Sequence, residues 1–216
     1  MEHFFWDERW QKNQIGFHEG KYNSYLTEYF SLIPLKFRKH VLVPLCGKSA
    51  DLVFLSQHCQ KIIGVEFIEK AILDFFTESG LPFTKTSAET YSAKNISLIF
   101  SDFIFHESSF LQEPGWLYDR AALVALPEPL RKKYADAITE REVHVKAQLL
   151  TVFEYPQHEK AGPPFSVNES MVKELYSSAW GIQKILTKDL LLEKNNPFAK
   201  QGFSSVSENV FLLNRI

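Results

Sequence analysis

From residue 40 onward, short apolar runs alternate with longer stretches of mixed polarity. The first run, His40-Val-Leu-Val-Pro-Leu45, is almost continuously apolar, which predicts a strand buried on both faces. Pro44 cannot donate to a ladder, so the strand should end there. The same reading predicts strands at Lys61–Glu66, Asn95–Asp102, Trp116–Asp119 and Gln148–Tyr155, with two more at Ile182–Thr187 and Asn209–Ile216. Helices are predicted between them. One covers Ala50–His58. Another covers Glu69–Ser79, with Ala71, Ile72, Phe75 and Phe76 on one face and Gly80 and Pro82 closing it. A third runs from Pro127–Pro129 to about Val145, and a fourth from Ser166–Asn168 to about Trp180. Before residue 40 only helical pattern is present, at Phe4–Gln14 and Ser24–Leu32.

This alternation predicts an α/β fold, a doubly wound seven-stranded mostly parallel sheet with helices on both faces. A barrel would need about eight βα units and more chain. One domain over residues 1–216 is expected, with residues 1–38 as a helical segment in front of it. Such sheets bind ligands outside the carboxyl ends of their strands. That singles out Leu45–Ser49, Glu66–Ile68, Ser101-Asp102, Asp119-Arg120 and Glu154–Pro156.

Composition narrows the partners. With 24 Lys+Arg against 26 Asp+Glu the net charge is -2, which speaks against a basic nucleic-acid footprint. No apolar run approaches the roughly 18 residues that would span a membrane, and the aromatic, acidic start is unlike a secretory signal. Two cysteines make no disulfide framework, so a reducing cytoplasm is the expected setting. Aromatic residues reach 14%, enough for either a dense core or pockets for flat ligands. A monomer acting on a small molecule, without nucleic-acid or membrane partners, is the expectation.

The turn Pro44-Leu-Cys-Gly-Lys-Ser49 ends like a phosphate-binding loop, but the required earlier glycine is Leu42. It is not G-x-G-x-x-G either. What remains is a strand-to-helix turn whose Gly47 admits close approach of a ligand to the backbone. Glu66 lies 19 residues after Gly47 at a strand end, where a carboxylate can accept hydrogen bonds from ribose hydroxyls. An adenosine-bearing cofactor without a pyrophosphate fits that pattern, and S-adenosylmethionine is one; a solvated strand-end glutamate would share the spacing.

Arg120 follows the fourth predicted strand and must be paired, either with Asp119 or a neighbouring acid, or with a ligand carboxylate. Gly162-Pro-Pro-Phe165 reads as a stiff loop or as the wall of an aromatic pocket. Trp6 and Trp10 share a helix face, with Phe17-His18 a short loop later. Core packing accounts for the tryptophans, and a satisfied structural histidine for His18, as readily as ligand binding does. There is no H-E-x-x-H, C-x-x-C or G-x-S-x-G, so neither a metal site nor a hydrolase elbow is indicated. Cys46 is read as an inert packed residue.

Taken in order, Trp10, Phe17-His18, Val43-Pro-Leu-Cys-Gly-Lys-Ser49, Gly64-Val-Glu66, Asp119-Arg-Ala-Ala-Leu123 and Gly162-Pro-Pro-Phe165 resemble the bacterial form of the thiopurine S-methyltransferase family over nearly the whole chain. The resemblance implies a class I methyltransferase sheet, its seventh strand antiparallel between the fifth and sixth. It implies S-adenosylmethionine contacts at Trp10, Leu45, Gly47, Glu66 and Arg120, with Ser101 and Asp102 beside the adenine. It implies an acceptor side formed by Phe17, His18, Pro164 and Phe165, with Arg120 as the catalytic residue favouring the thiolate by its charge. The chain departs from the family at Ser101, where Gly is common, and at His58-Cys59, where Gly-His is common. The implied activity is S-methylation of aromatic or heteroaromatic thiols such as thiopurines by direct in-line transfer. A methyltransferase for small inorganic acceptors, of selenium, tellurium or an anion, would share the cofactor residues, as would a protein that only binds the cofactor. The segment over residues 1–38 is then expected to act as a lid.

Overall fold

The computed structural model of the chain describes residues 3–192 and 201–216. In chain order its strands are β1 (His40–Pro44), β2 (Lys61–Glu66), β3 (Thr84–Lys85), β4 (Thr90–Ala93), β5 (Ile96–Phe100), β6 (Gly115–Arg120), β7 (Val145–Glu154), β8 (Trp180–Asp189) and β9 (Ser207–Arg215). Its helices are α1 (His3–Gln11), α2 (Ser24–Tyr29), α3 (Asp51–His58), α4 (Glu69–Ser79), α5 (Ala122–Ala125), α6 (Glu128–Asp136) and α7 (Glu169–Tyr176). The strands form one sheet in the order β3-β4-β5-β2-β1-β6-β7-β9-β8. Strands β5, β2, β1, β6 and β7 are parallel neighbours, and β9 lies antiparallel between β7 and β8.

Alternate residues of the central strands enter opposite cores. Val41 and Val43 pack with Ile62, Trp116 and Leu149 on one face, and Leu42 packs with Ile63, Leu117 and Leu150 on the other. Two-sided burial is why these strands read as unbroken apolar runs. Helix α4 follows its predicted bounds, with Ala71, Ile72, Phe75 and Phe76 buried. Gly80 closes it in a left-handed conformation, φ 65°.

The sheet has nine strands among the described residues, not seven. The additional pair, β3 and β4, forms a hairpin on the outer edge of β5. β3 is two exposed residues and β4 only four, with Tyr91 and Ala93 turned inward, so the pair is too short to carry a strand signal. It nevertheless covers a row of β5 backbone groups that would otherwise form an open edge. The helix expected to reach Val145 stops at Asp136, continues as one π-helical stretch (Ala137–Arg141), and gives way to β7 at Val145. Tertiary bonds end it: the Arg215 guanidinium donates to the carbonyls of Ile138, Thr139, Glu142 and Val145. Likewise α7 ends at Tyr176, because Trp180 already belongs to β8. Of the segment predicted over residues 1–38, residues 1 and 2 lie outside the described residues.

Candidate active site

Three strand ends build the centre of the site. After β1, Leu45 and Gly47 both take left-handed backbone, φ 48° and 53°, which turns the chain sharply into α3. A Cβ on Gly47 would stand 3.3 Å from the Trp10 ring, so the absent side chain is what lets the indole lie against the turn. Glu66 ends β2, and its Oε2 accepts the Gly47 N–H at 2.9 Å while Oε1 accepts the Ile68 N–H at 2.9 Å. The carboxyl thus fixes the turn of the neighbouring strand while keeping lone pairs for further donors. Burial pushes its pKa up to about 7, against the downward pull of the Ile68, Gly47 and Phe67 backbone bonds. Cys46, in the same turn, is buried, and burial raises its thiol well above the ordinary range, so it stays protonated and inert.

At the end of β6 the two adjacent charges part. Asp119 points into the core, where it accepts the N–H groups of Ala122 and Leu123 at 3.0 and 3.2 Å and the Tyr134 hydroxyl at 2.8 Å. Burial raises it to about 6. Arg120 turns the other way. Its Nη2 lies 2.6 Å from Glu19 Oε1, and its Nη1 donates to the Phe17 carbonyl at 3.0 Å. Asp119 is thus not its partner, and the acid beside it is Glu19. Burial alone would lower the Arg120 pKa, but Glu19, Tyr118 and Asp51 outweigh it and raise it.

The N-terminal segment lies over these elements. Trp6, Trp10 and Ile15 are buried with Ile68 and Ala71, at the start of α4. Phe17 is partly exposed and meets Trp6 and Trp10 edge-on, with centroids 5.8 and 6.0 Å apart. His18 Nε2 is 3.8 Å from Glu78, whose other oxygen holds Lys48 Nζ at 2.5 Å. Burial, then the charge of Lys48, keeps the His18 pKa below its ordinary value. Asn23 anchors the end of the segment: its N–H donates to Asp51 Oδ1 at 2.7 Å, and its own Oδ1 caps α2.

Ser101 and Asp102 follow β5. Ser101 Oγ lies 3.0 Å from His106 Nδ1, and Asp102 Oδ1 accepts the N–H groups of Ile104 and Phe105. Together with Phe105, His106 and Glu107 they line a cavity of about 350 Å³. The Ser101 N–H donates to the Glu66 carbonyl, which joins this cavity to the central turn. Pro164 and Phe165 are held elsewhere: Tyr155 donates to the Pro164 carbonyl at 2.6 Å, Phe165 N–H donates to the Val124 carbonyl at 2.7 Å, and the Arg131 guanidinium sits 5.6 Å from the Phe165 ring. Trp10, Leu45, Gly47, Glu66, Phe17 and Arg120 are therefore brought together through contacts and short loops, while Pro164 and Phe165 are tied to Tyr155 and to Val124 of α5. Sequence reasoning missed Glu19, the Lys48–Glu78 pair and the Asn23–Asp51 anchor. Asn23, directly before the helix predicted from Ser24, offered a capping signal, but not its bond to Asp51. Among the described residues no cluster of three or more His, Cys, Asp or Glu side chains could hold a metal, and no helix is long and apolar enough to cross a membrane.

The family model described as Thiopurine S-methyltransferase (TPMT) matches residues 1–216. The thiopurine S-methyltransferase of Pseudomonas paraeruginosa is 40% identical over 218 residues, covering 100% of both chains. That of Xanthomonas axonopodis pv. citri is 38% identical over 219 residues, again covering 100% of both. Among solved structures, an S-adenosylmethionine-dependent methyltransferase from Anabaena variabilis superposes with TM-score 0.66 at 12% identity, over 98% of this chain and 93% of that one. The Burkholderia thailandensis 1,6-didemethyltoxoflavin-N1-methyltransferase, solved with 1,6-didemethyltoxoflavin and S-adenosylhomocysteine, gives 0.62 at 11% identity, over 98% and 85%. The two structures share the fold of this chain.

Proposed function

The chain belongs to the thiopurine S-methyltransferase family, and from that premise we propose that it methylates the sulfur of aromatic or heteroaromatic thiols, thiopurines among them, with S-adenosylmethionine as methyl donor. The observation that carries the reading is the turn Leu45–Ser49 pinned by Glu66, with Trp10 against Gly47 and the Phe17–Arg120 pair beside it. These residues fit the donor. Gly47, its N–H held by Glu66, lets the turn curl tightly against Trp10, Glu66 keeps acceptor capacity for ribose hydroxyls, and Ser101 and Asp102 border a cavity suited to a flat base. When bound, S-adenosylmethionine supplies an electrophilic methyl that the acceptor sulfur takes by direct in-line displacement. This chain's contribution is alignment and exclusion of water. Trp6 and Trp10 close the donor side, and Phe17 and His18 face the acceptor side with Pro164 and Phe165 at its flank. Arg120 favours a sulfur that has lost its proton.

The two cysteines are free and buried, which supports a reducing, cytoplasmic setting. The test is turnover of S-adenosylmethionine with 6-mercaptopurine and thiophenol, followed as S-adenosylhomocysteine formed. Product with both is expected. None with either, at saturating donor, overturns the reading.

A further inference from the structure

The Arg120 guanidinium is filled from the segment that covers it. One N–H group goes to the Phe17 carbonyl at 3.0 Å and another nitrogen contacts the Glu19 carboxylate at 2.6 Å. The Arg120 side chain is 17% exposed and that of Glu19 42%, so the pair reaches the surface of the fold rather than lying inside the core. Glu19 is also restrained on both sides: Phe17 is tied to Arg120, and Asn23 is tied to Asp51 at the start of α3. A carboxylate held this way competes as an intramolecular ligand, at an effective concentration of roughly millimolar. An acceptor that carried its own carboxylate would have to expel Glu19 from the guanidinium or lie beside it at close range. An acceptor whose only charge is that of its sulfur would meet Glu19 with one negative group instead of two.

We infer that Glu19 is a specificity-determining residue: its carboxylate occupies Arg120 and makes the site select aromatic thiols without an additional negative group over those that bear a carboxylate. The inference rests on the acceptor class proposed above. Its distinguishing feature is a discrimination between two acceptors with the same nucleophile, since only the group beyond the sulfur differs. Like-charge juxtaposition in a half-buried site is what supplies the discrimination.

The test compares kcat/KM for thiophenol and for 2-mercaptobenzoate in the native chain, Glu19→Gln and Glu19→Asp. Intrinsic differences between the two thiols cancel when the ratio is compared across variants. Glu19→Gln should raise the ratio in favour of 2-mercaptobenzoate about tenfold, and Glu19→Asp, which keeps the charge, should stay nearer the native ratio. A ratio unchanged in Glu19→Gln, or equal losses for both acceptors in both variants, overturns the inference and leaves Glu19 a fastener of the segment. Calorimetric binding of benzoate in the presence of S-adenosylhomocysteine is measured alongside. If neither thiol turns over, the proposed function fails on its own account. Tighter benzoate binding by Glu19→Gln still upholds the charge selection, and unchanged binding overturns it.

Discussion

Burial pushes the Glu66 carboxyl up to about 7 although the backbone N–H groups of Ile68, Gly47 and Phe67 pull it down. The unfolded chain titrates this group near 4.5, so between those values the folded chain holds more protons and stability falls as pH rises through the window. Glu66→Gln should remove that component, and parallel melting curves of the two proteins between pH 4.5 and 7 check it. The same titration reaches the donor site. Ribose hydroxyls donate best to the ionised carboxylate, so S-adenosylhomocysteine should bind about tenfold more weakly at pH 6 than at pH 8, with a flat profile in Glu66→Gln. Glu66→Ala should weaken binding roughly tenfold to more than a hundredfold, since a charge-assisted bond contributes about 1.5–3 kcal/mol. Unchanged calorimetric affinity in that variant removes Glu66 from the site. Arg120→Lys keeps the charge against Glu19 but cannot hold Phe17 as well. The expectation is an initial rate lowered about tenfold at saturating donor with little change in melting temperature. A variant that melts early yet turns over normally makes Arg120 structural. The strand end at Glu66 and the turn around Gly47 after β1 were legible because an unbroken apolar run precedes each. Glu19 was not, because pairing with Arg120 depends on how the whole N-terminal segment folds back, and no local period encodes that.

Helix α1 owes its place to two indoles one turn apart, packed on the first residues of α4. Its polar ties to the body are the His3 ring nitrogen to the Phe67 carbonyl and, beyond the helix, the His18–Glu78, Arg120 and Asn23 contacts, with Ile15 buried beside the indoles. Elements so lightly attached open locally before the whole molecule unfolds. On this basis α1 and the following loop form the proposed lid, and amide exchange over residues 4–20 should slow when S-adenosylhomocysteine is added. Trp10→Ala should abolish that protection and weaken ligand binding, with a smaller effect on global melting than a core Trp→Ala change of about 3–5 kcal/mol. Equal exchange with and without ligand would make the tryptophans plain packing. The parallel strands and α4 were legible at this scale, because a buried run or a one-sided face leaves a periodic trace. The β3–β4 hairpin was not, since a two-residue exposed strand has no period. The end of the helical run after α6 was hidden because Arg215, far along the chain, takes the Ile138 and Thr139 carbonyls of the π-helical stretch.

For the whole chain, ligand linkage gives a direct measure. At a hundredfold excess over its dissociation constant, S-adenosylhomocysteine should stabilise the fold by about 2.7 kcal/mol and raise the melting temperature by about 5–10 °C. A thermal shift assay with increasing ligand checks this, and no shift at any concentration would contradict donor binding. The order of the strands has another outcome, which belongs to biosynthesis. Among the described residues β8 has one neighbour, β9, and β9 is translated after every other strand in the sheet. Until residues 207–215 leave the ribosome, β8 has nothing to pair with and the outer edge of β7 stands open. A nascent chain halted before that point carries ten residues of β7, apolar along most of their length, as an uncovered template for another chain.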